Sequence, residues 1–165
     1  MQLLEYLKAN GVKLMHKGWG KDPHPYEVGL GSYDFVEGLD GVIGRQVWIC
    51  DFRNGKNIFE KPIRAIGPTL VEVCDAEKAK KTIYYSPVYF RAVGKNGTLK
   101  AAEINPVDNT GFRSTPGVSA NIFTDEQECC ACYKKQLEQA VEERKTVLKW
   151  YQASIDALKA ELDKR

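Results

Sequence analysis

Apolar residues fall into three successive rhythms along this chain. At the start, Leu3, Leu4 and Leu7 share one face at helical spacing, and Gly11 follows where a helix C-terminus favours glycine. Residues 1–10 are predicted as a short helix. In the middle the rhythm shortens to that of strands. Arg45 to Phe52 mixes β-branched and aromatic residues, and Asn54-Gly55 is a strong hairpin signal because both positions tolerate positive φ. Ile58 to Ile66 and Thr69 to Cys74 read as further strands, separated by Gly67-Pro68. Leu70, Glu72 and Cys74 alternate with Val71 and Val73, the pattern of a half-buried strand. Thr82 to Tyr85, Val88 to Val93 and Thr98 to Ile104 continue the series, with Asn96-Gly97 as a second tight turn. Short strands at this spacing predict a small antiparallel sheet, either curled or SH3-like.

The third rhythm is the longest. From Thr124 to Arg165 the chain has no Gly and no Pro. Leu137, Val141, Arg144, Leu148, Tyr151, Ile155, Leu158 and Leu162 recur at alternating steps of four and three. The mean of 3.5 is the period of a seam that meets another helix. Thr124 is placed to cap the helix, with Gln127 at the capping-box spacing, and Asp125, Glu126 and Glu128 put negative charge at its positive end. An unbroken helix of this length extends roughly 60 Å at 1.5 Å per residue. It must lie across the domain, pair with another copy, or fold back as a helical hairpin near Glu142–Lys145. The expected division is an α+β domain over 1–120 and the long helix over 121–165.

Composition adds little to this outline. The chain has 165 residues, 43% hydrophobic and 28% charged, enough apolar content for one core plus an appendage. A net charge of +2 does not by itself call for nucleic acid or a membrane. No apolar run approaches the roughly 20 residues that span a bilayer, and the first residues lack a basic start, so a cytoplasmic location is expected. Residues 16–44 are rich in Gly, Pro and aromatics, and Asp22, Glu27, Asp34, Glu37 and Asp40 fall there without a Lys or Arg between Asp22 and Gly44.

Ser86-Pro87-Val88-Tyr89-Phe90-Arg91, Gly94-Lys95-Asn96-Gly97, Asp108-Asn109-Thr110-Gly111-Phe112-Arg113-Ser114, and Phe123 with Glu126 to Cys129 together mark one stretch. It resembles a segment of small uncharacterised bacteriophage accessory proteins, over about residues 86–133. The resemblance implies a viral accessory origin in a host cell, and a protein that binds and modulates or inhibits a host protein in host takeover or anti-defence. It brings no activity with it.

Candidate chemistry is sparse. Five cysteines (Cys50, Cys74, Cys129, Cys130 and Cys132) form an odd set that reads as reduced thiols. Cys50, Cys74, Cys129 and Cys132 would suffice for a structural zinc site, but the second paired motif of such sites is missing, and core packing is the expectation. His16 and His24 are the only imidazoles, with no nucleophile motif nearby, and Trp19 to His24 reads as a surface loop. Gly29-Leu30-Gly31 lacks the third glycine of a dinucleotide site. No enzyme activity, metal or cofactor is expected.

Residues 78–113 combine Lys78, Lys80, Lys81, Arg91, Lys95, Lys100 and Arg113 with Tyr84, Tyr85, Tyr89, Phe90 and Phe112, against Glu103 and Asp108. Cations for phosphates and rings for bases make a nucleic-acid surface. The competing reading puts the rings in the sheet core and the cations in solvent, with the acids of 22–44 offsetting them. The sequence thus predicts an α+β, non-enzymatic binding protein. Its partner or self-association helix carries Leu137, Val141, Leu148, Tyr151, Ile155, Leu158 and Leu162, and a homodimer is expected. Tyr85, Arg91, Lys95, Lys100 and Arg113 form a candidate binding surface. A nucleic-acid module on 78–113 is the alternative.

Overall fold

Val71 and Val73 are wholly buried, while Leu70, Glu72 and Cys74 between and beside them are half-exposed, so the central strand turns one face to a core. A computed structural model describes residues 1, 3–16, 33–53, 64–76, 78, 88–104 and 121–164. Its elements are α1 (Leu3–Ala9), β1 (Lys13–His16), β2 (Tyr33–Glu37), β3 (Gln46–Arg53), β4 (Arg64–Asp75), β5 (Val88–Val93), β6 (Leu99–Ile104), β7 (Asn121–Phe123) and α2 (Glu126–Leu162). The architecture is α+β: a short N-terminal helix, a five-stranded antiparallel sheet and a long C-terminal helix. The sheet order is β6-β5-β4-β3-β7, and β1 pairs separately with β2. Among the described residues the sheet runs from edge strand β6 to edge strand β7, with no ladder joining the two.

One sheet face carries the core. Val47 and Ile49 of β3, Val71 and Val73 of β4, Val88 and Phe90 of β5 and Ile122 of β7 meet Leu3, Tyr6 and Leu7 of α1. Phe90 stands opposite Val73 in register, so its ring fills the middle of that layer. The end of α1 is fixed by main-chain geometry. Gly11 adopts φ +80°, its N–H bonds Lys8 O at 3.1 Å, and the Val12 N–H bonds Leu7 O at 3.0 Å. This is a Schellman closure, and buried Val12 and Leu7 supply the apolar contact that accompanies it. Gly38 comes so close to this turn that a Cβ there would lie 3.0 Å from Gly11 O.

Two readings of the strand pattern need correction. Gly67-Pro68 does not separate two strands. β4 runs through it, and the pairing passes from Ile49↔Thr69 to Asp51↔Ile66, which leaves two residues of β4 facing Cys50 alone. That is a β-bulge, the one interior position of a sheet where proline's missing N–H is harmless. The pair β1–β2 was not predicted: β1 ends where the Gly- and Pro-rich residues 16–44 begin, and β2 lies among them, where no strand was assigned. The Asn96-Gly97 turn is as expected: Gly97 has φ +77°, and Asn96 Oδ1 accepts from Thr98 Oγ1 at 2.7 Å. The Asn54-Gly55 turn and the strand at Thr82 to Tyr85 lie outside the described residues.

The C-terminal helix starts one residue later than expected. Asp125, not Thr124, is the cap: its Oδ1 accepts from the Glu128 N–H at 2.9 Å. The helix then runs unbroken for 37 residues, through 142–145, so no helical hairpin forms. Asn121–Phe123, placed by sequence with the helical segment, belongs to the sheet as edge strand β7.

Candidate functional site

α2 lies on the sheet face opposite α1, over β3, β4 and β7. Its first turns are tied down by specific contacts. The Cys50 thiol donates to Cys129 O at 3.6 Å, and Asn121 Nδ2 donates to Cys132 Sγ at 4.0 Å. Gly67 has no side chain, and the Tyr133 ring uses that space, with Cε1 3.8 Å from where a Cβ would stand. The bulge thus makes a seat for an aromatic ring. The anchoring stripe continues to Ala140, which is buried. These positions, 129, 133, 136 and 140, recur at helical spacing one step round the helix from the seam.

The seam itself is left uncovered. Leu137 is 37% exposed, Leu148 63%, Leu158 65% and Leu162 71%, and Val141, Tyr151 and Ile155 are exposed as well. Arg144 and Val147 are half-buried, and every residue from Leu148 to Lys164 is exposed. The exposed helix past Val147 is about 22 Å long at 1.5 Å per residue. Arg144 folds back on its own helix, with Nη1 donating to Ala140 O at 3.1 Å. Trp150, 68% exposed beside the seam, was missed in sequence because it falls off the four–three spacing. The solvent side is laced by pairs such as Lys145–Glu142 at 2.6 Å and Lys164–Glu161 at 3.4 Å, each worth about 0.2–0.5 kcal/mol to a helix. Such pairs do not replace apolar burial. Fully burying one leucine is worth about 1.5–3 kcal/mol, so seven exposed apolar seam residues forgo an amount comparable with a whole domain's stability.

The cysteines divide. Cys50, Cys129 and Cys132 converge under the start of α2. Burial pushes the Cys50 thiol up, reinforced by Cys129 and Cys132, and pushes Cys129 up as well. Cys74 lies elsewhere, opposite Tyr89 and about 20 Å along β4 from the bulge at 3.3 Å per residue. Its thiol is raised by burial and then by Glu72. The four-cysteine set is therefore not assembled, and among the described residues no group of three or more His, Cys, Asp or Glu is placed to hold a metal.

The basic aromatic segment is only partly a surface. Tyr89 and Phe90 are buried, and burial followed by Cys74 raises the Tyr89 hydroxyl. Arg91 stands in register with Glu72 and Glu103, and its guanidinium donates to Lys100 O at 2.9 Å and Leu99 O at 3.4 Å. Lys78 reaches Asp40 at 3.0 Å and Asp75 at 3.6 Å, so an acid of the 22–44 stretch does neutralise a cation of this segment. Lys95 and Lys100 are exposed. Tyr85 and Arg113 lie outside the described residues, as do Lys80, Lys81, His24 and the Trp19 to His24 loop.

Among the described residues no helix is long and apolar enough to cross a membrane. Comparison with protein-family models, curated proteins and solved structures gave no match to this chain.

Proposed function

We propose that the chain is a non-enzymatic binding protein, a phage accessory factor that works by contact with other protein chains and modulates a host protein. The exposed seam on the projecting half of α2 carries this reading. Apolar side chains at coiled-coil spacing are left exposed along this part of the helix. An isolated helix of about 15 residues is marginal in water, so this half is stabilised by a partner helix. The resemblance over 86–133 to small phage proteins supports a host cell as the setting. The sheet domain then serves as the rigid mount, and Lys95, Lys100 and the Arg91 cross-strand clamp mark a second contact surface. A nucleic-acid role is less well supported, because Arg91 and Lys78 are already engaged within the chain.

The test is affinity capture from infected host cells with wild type and with Leu158→Glu plus Leu162→Glu in parallel, alongside Lys95→Glu plus Lys100→Glu. A host protein held by wild type, lost with one variant pair and rebound from purified components supports the reading. A host protein held equally by all three, or purified wild type with a catalytic turnover, overturns it.

A further inference from the structure

We infer that the occupant of the α2 seam is a second copy of this chain, paired antiparallel, with the crossing point between Leu148 and Tyr151. This rests on the reading of α2 as a protein-contact helix and names its partner.

The spacing permits two arrangements. In a parallel pair each seam residue meets its own equivalent, so Arg144 meets Arg144 of the second copy inside the interface. Two like charges in a drying seam are costly. The flanking positions bring no favourable charge pair between the two helices. In that arrangement Ala140 lies beside Lys145, Val147 beside Gln152 and Ser154 beside Lys159 of the other helix, and no opposite charges meet.

Running the second helix in the opposite direction removes both problems. Leu137 then packs against Leu162 of the second copy, Val141 against Leu158, and Leu148 against Tyr151. All four layers on each side of the centre are filled. Arg144 packs against Ile155 of the second copy and keeps its donation to Ala140 O. Along the flank, Glu138 comes beside Lys159 of the second copy, twice per dimer by symmetry. Glu138 is exposed and also meets Lys134 at 3.8 Å within its own helix. The whole stretch from Leu137 to Leu162 is used, because Leu137 and Val141 are still accessible beside the docked face. The two sheet domains end up at opposite ends of a shared rod, out of each other's way.

Charge exchange tests the orientation. Glu138→Lys and Lys159→Glu should each raise the dimer dissociation constant about tenfold, because two attractive contacts become repulsive. Mixing the two variants should restore the wild-type value, since each heterodimer regains both opposite-charge contacts. In a parallel pair residues 138 and 159 are about 31 Å apart at 1.5 Å per residue, and mixing restores nothing. A spin label on exposed Cys130, in a Cys74→Ser plus Cys132→Ser background, should report a distance near 58 Å between copies, against under about 20 Å for a parallel pair. Sedimentation showing a wild-type monomer at tens of micromolar overturns the second-copy assignment and leaves the proposed function standing with a different partner. A dimer without rescue on mixing, or with a short Cys130 distance, overturns the antiparallel arrangement.

Discussion

The thiol of Cys50, on strand β3, donates to the main-chain oxygen of Cys129 at 3.6 Å and so links the sheet to the second turn of α2. Both residues have no exposed surface. Burial pushes both thiols above the usual cysteine range. In the native protein a thiol reagent should therefore react first with exposed Cys130, while Cys50 and Cys129 stay unreactive until denaturant is added. Timed alkylation read by mass spectrometry checks the order.

The same burial sets a pH dependence. An unfolded cysteine ionises near 8.5, and the folded Cys50 and Cys129 ionise higher. Below that unfolded value the protonated state is shared by both forms and stability is constant. Above it the unfolded chain releases protons that the folded chain keeps, so stability falls as pH rises. Denaturant melts at pH 7 and pH 10 should show the fall, and Cys50→Ala should flatten it while costing about 1–2 kcal/mol at pH 7.

Two glycines three residues apart should respond oppositely. Gly38 has φ +84° and a Cβ there would meet Gly11 O at 3.0 Å. Gly38→Ala should cost about 1–3 kcal/mol. Gly41 has no such φ and nothing within 4 Å, so Gly41→Ala should be neutral or gain up to about 1 kcal/mol through the unfolded state. Chemical denaturation of the two variants makes the comparison.

Core and seam separate stability from assembly. Phe90→Ala should destabilise the fold by about 3–5 kcal/mol, since the ring is wholly buried. Leu148→Glu plus Ile155→Glu should leave the sheet's melting transition in place and yield a folded monomer, because both positions are exposed within the chain. Hydrogen exchange should then show fast amides over 150–162 in the monomer, slow ones in the assembled wild type, and protection over 129–140 in both.

Oligonucleotide binding should be no tighter than ordinary non-specific contact, roughly 10⁻⁴ to 10⁻⁶ M at physiological salt. Lys95→Glu plus Lys100→Glu should change it little. Sub-micromolar, salt-sensitive binding would reverse the ranking of the protein-contact and nucleic-acid readings.

The element types were legible wherever periodicity was strong and local. Leu3, Leu7 and Gly11 specify α1 and its closure within eleven residues, and Val71 and Val73 mark the buried face of β4 by alternation alone. The long helix α2 was legible too, since a run without Gly or Pro and a helical period need no tertiary knowledge. What failed depended on distant partners. Gly67-Pro68 reads locally as a stop, and only its place opposite Cys50 turns it into a bulge. Residues 13–16 and 33–37 pair across a stretch whose Gly and Pro content masks them. Thr124 and Asp125 are both good caps, and sequence cannot tell which hydroxyl or carboxylate turns inward. The gathering of Cys50 with Cys129 and Cys132, and the exclusion of Cys74, follows from register and from the landing site of α2.

Because α2 is a single unbroken rod, its two halves are locked in azimuth. Each residue advances the helix by 100°, from 3.6 per turn. The seating of Tyr133 over Gly67 thus fixes the compass bearing of Leu158, more than 30 Å away at 1.5 Å per residue. Adding one residue at 145 would change no side chain in either half, yet would swing the distal seam by more than a quarter-turn against the sheet. Adding seven would nearly restore the bearing and lengthen the reach by about 10 Å.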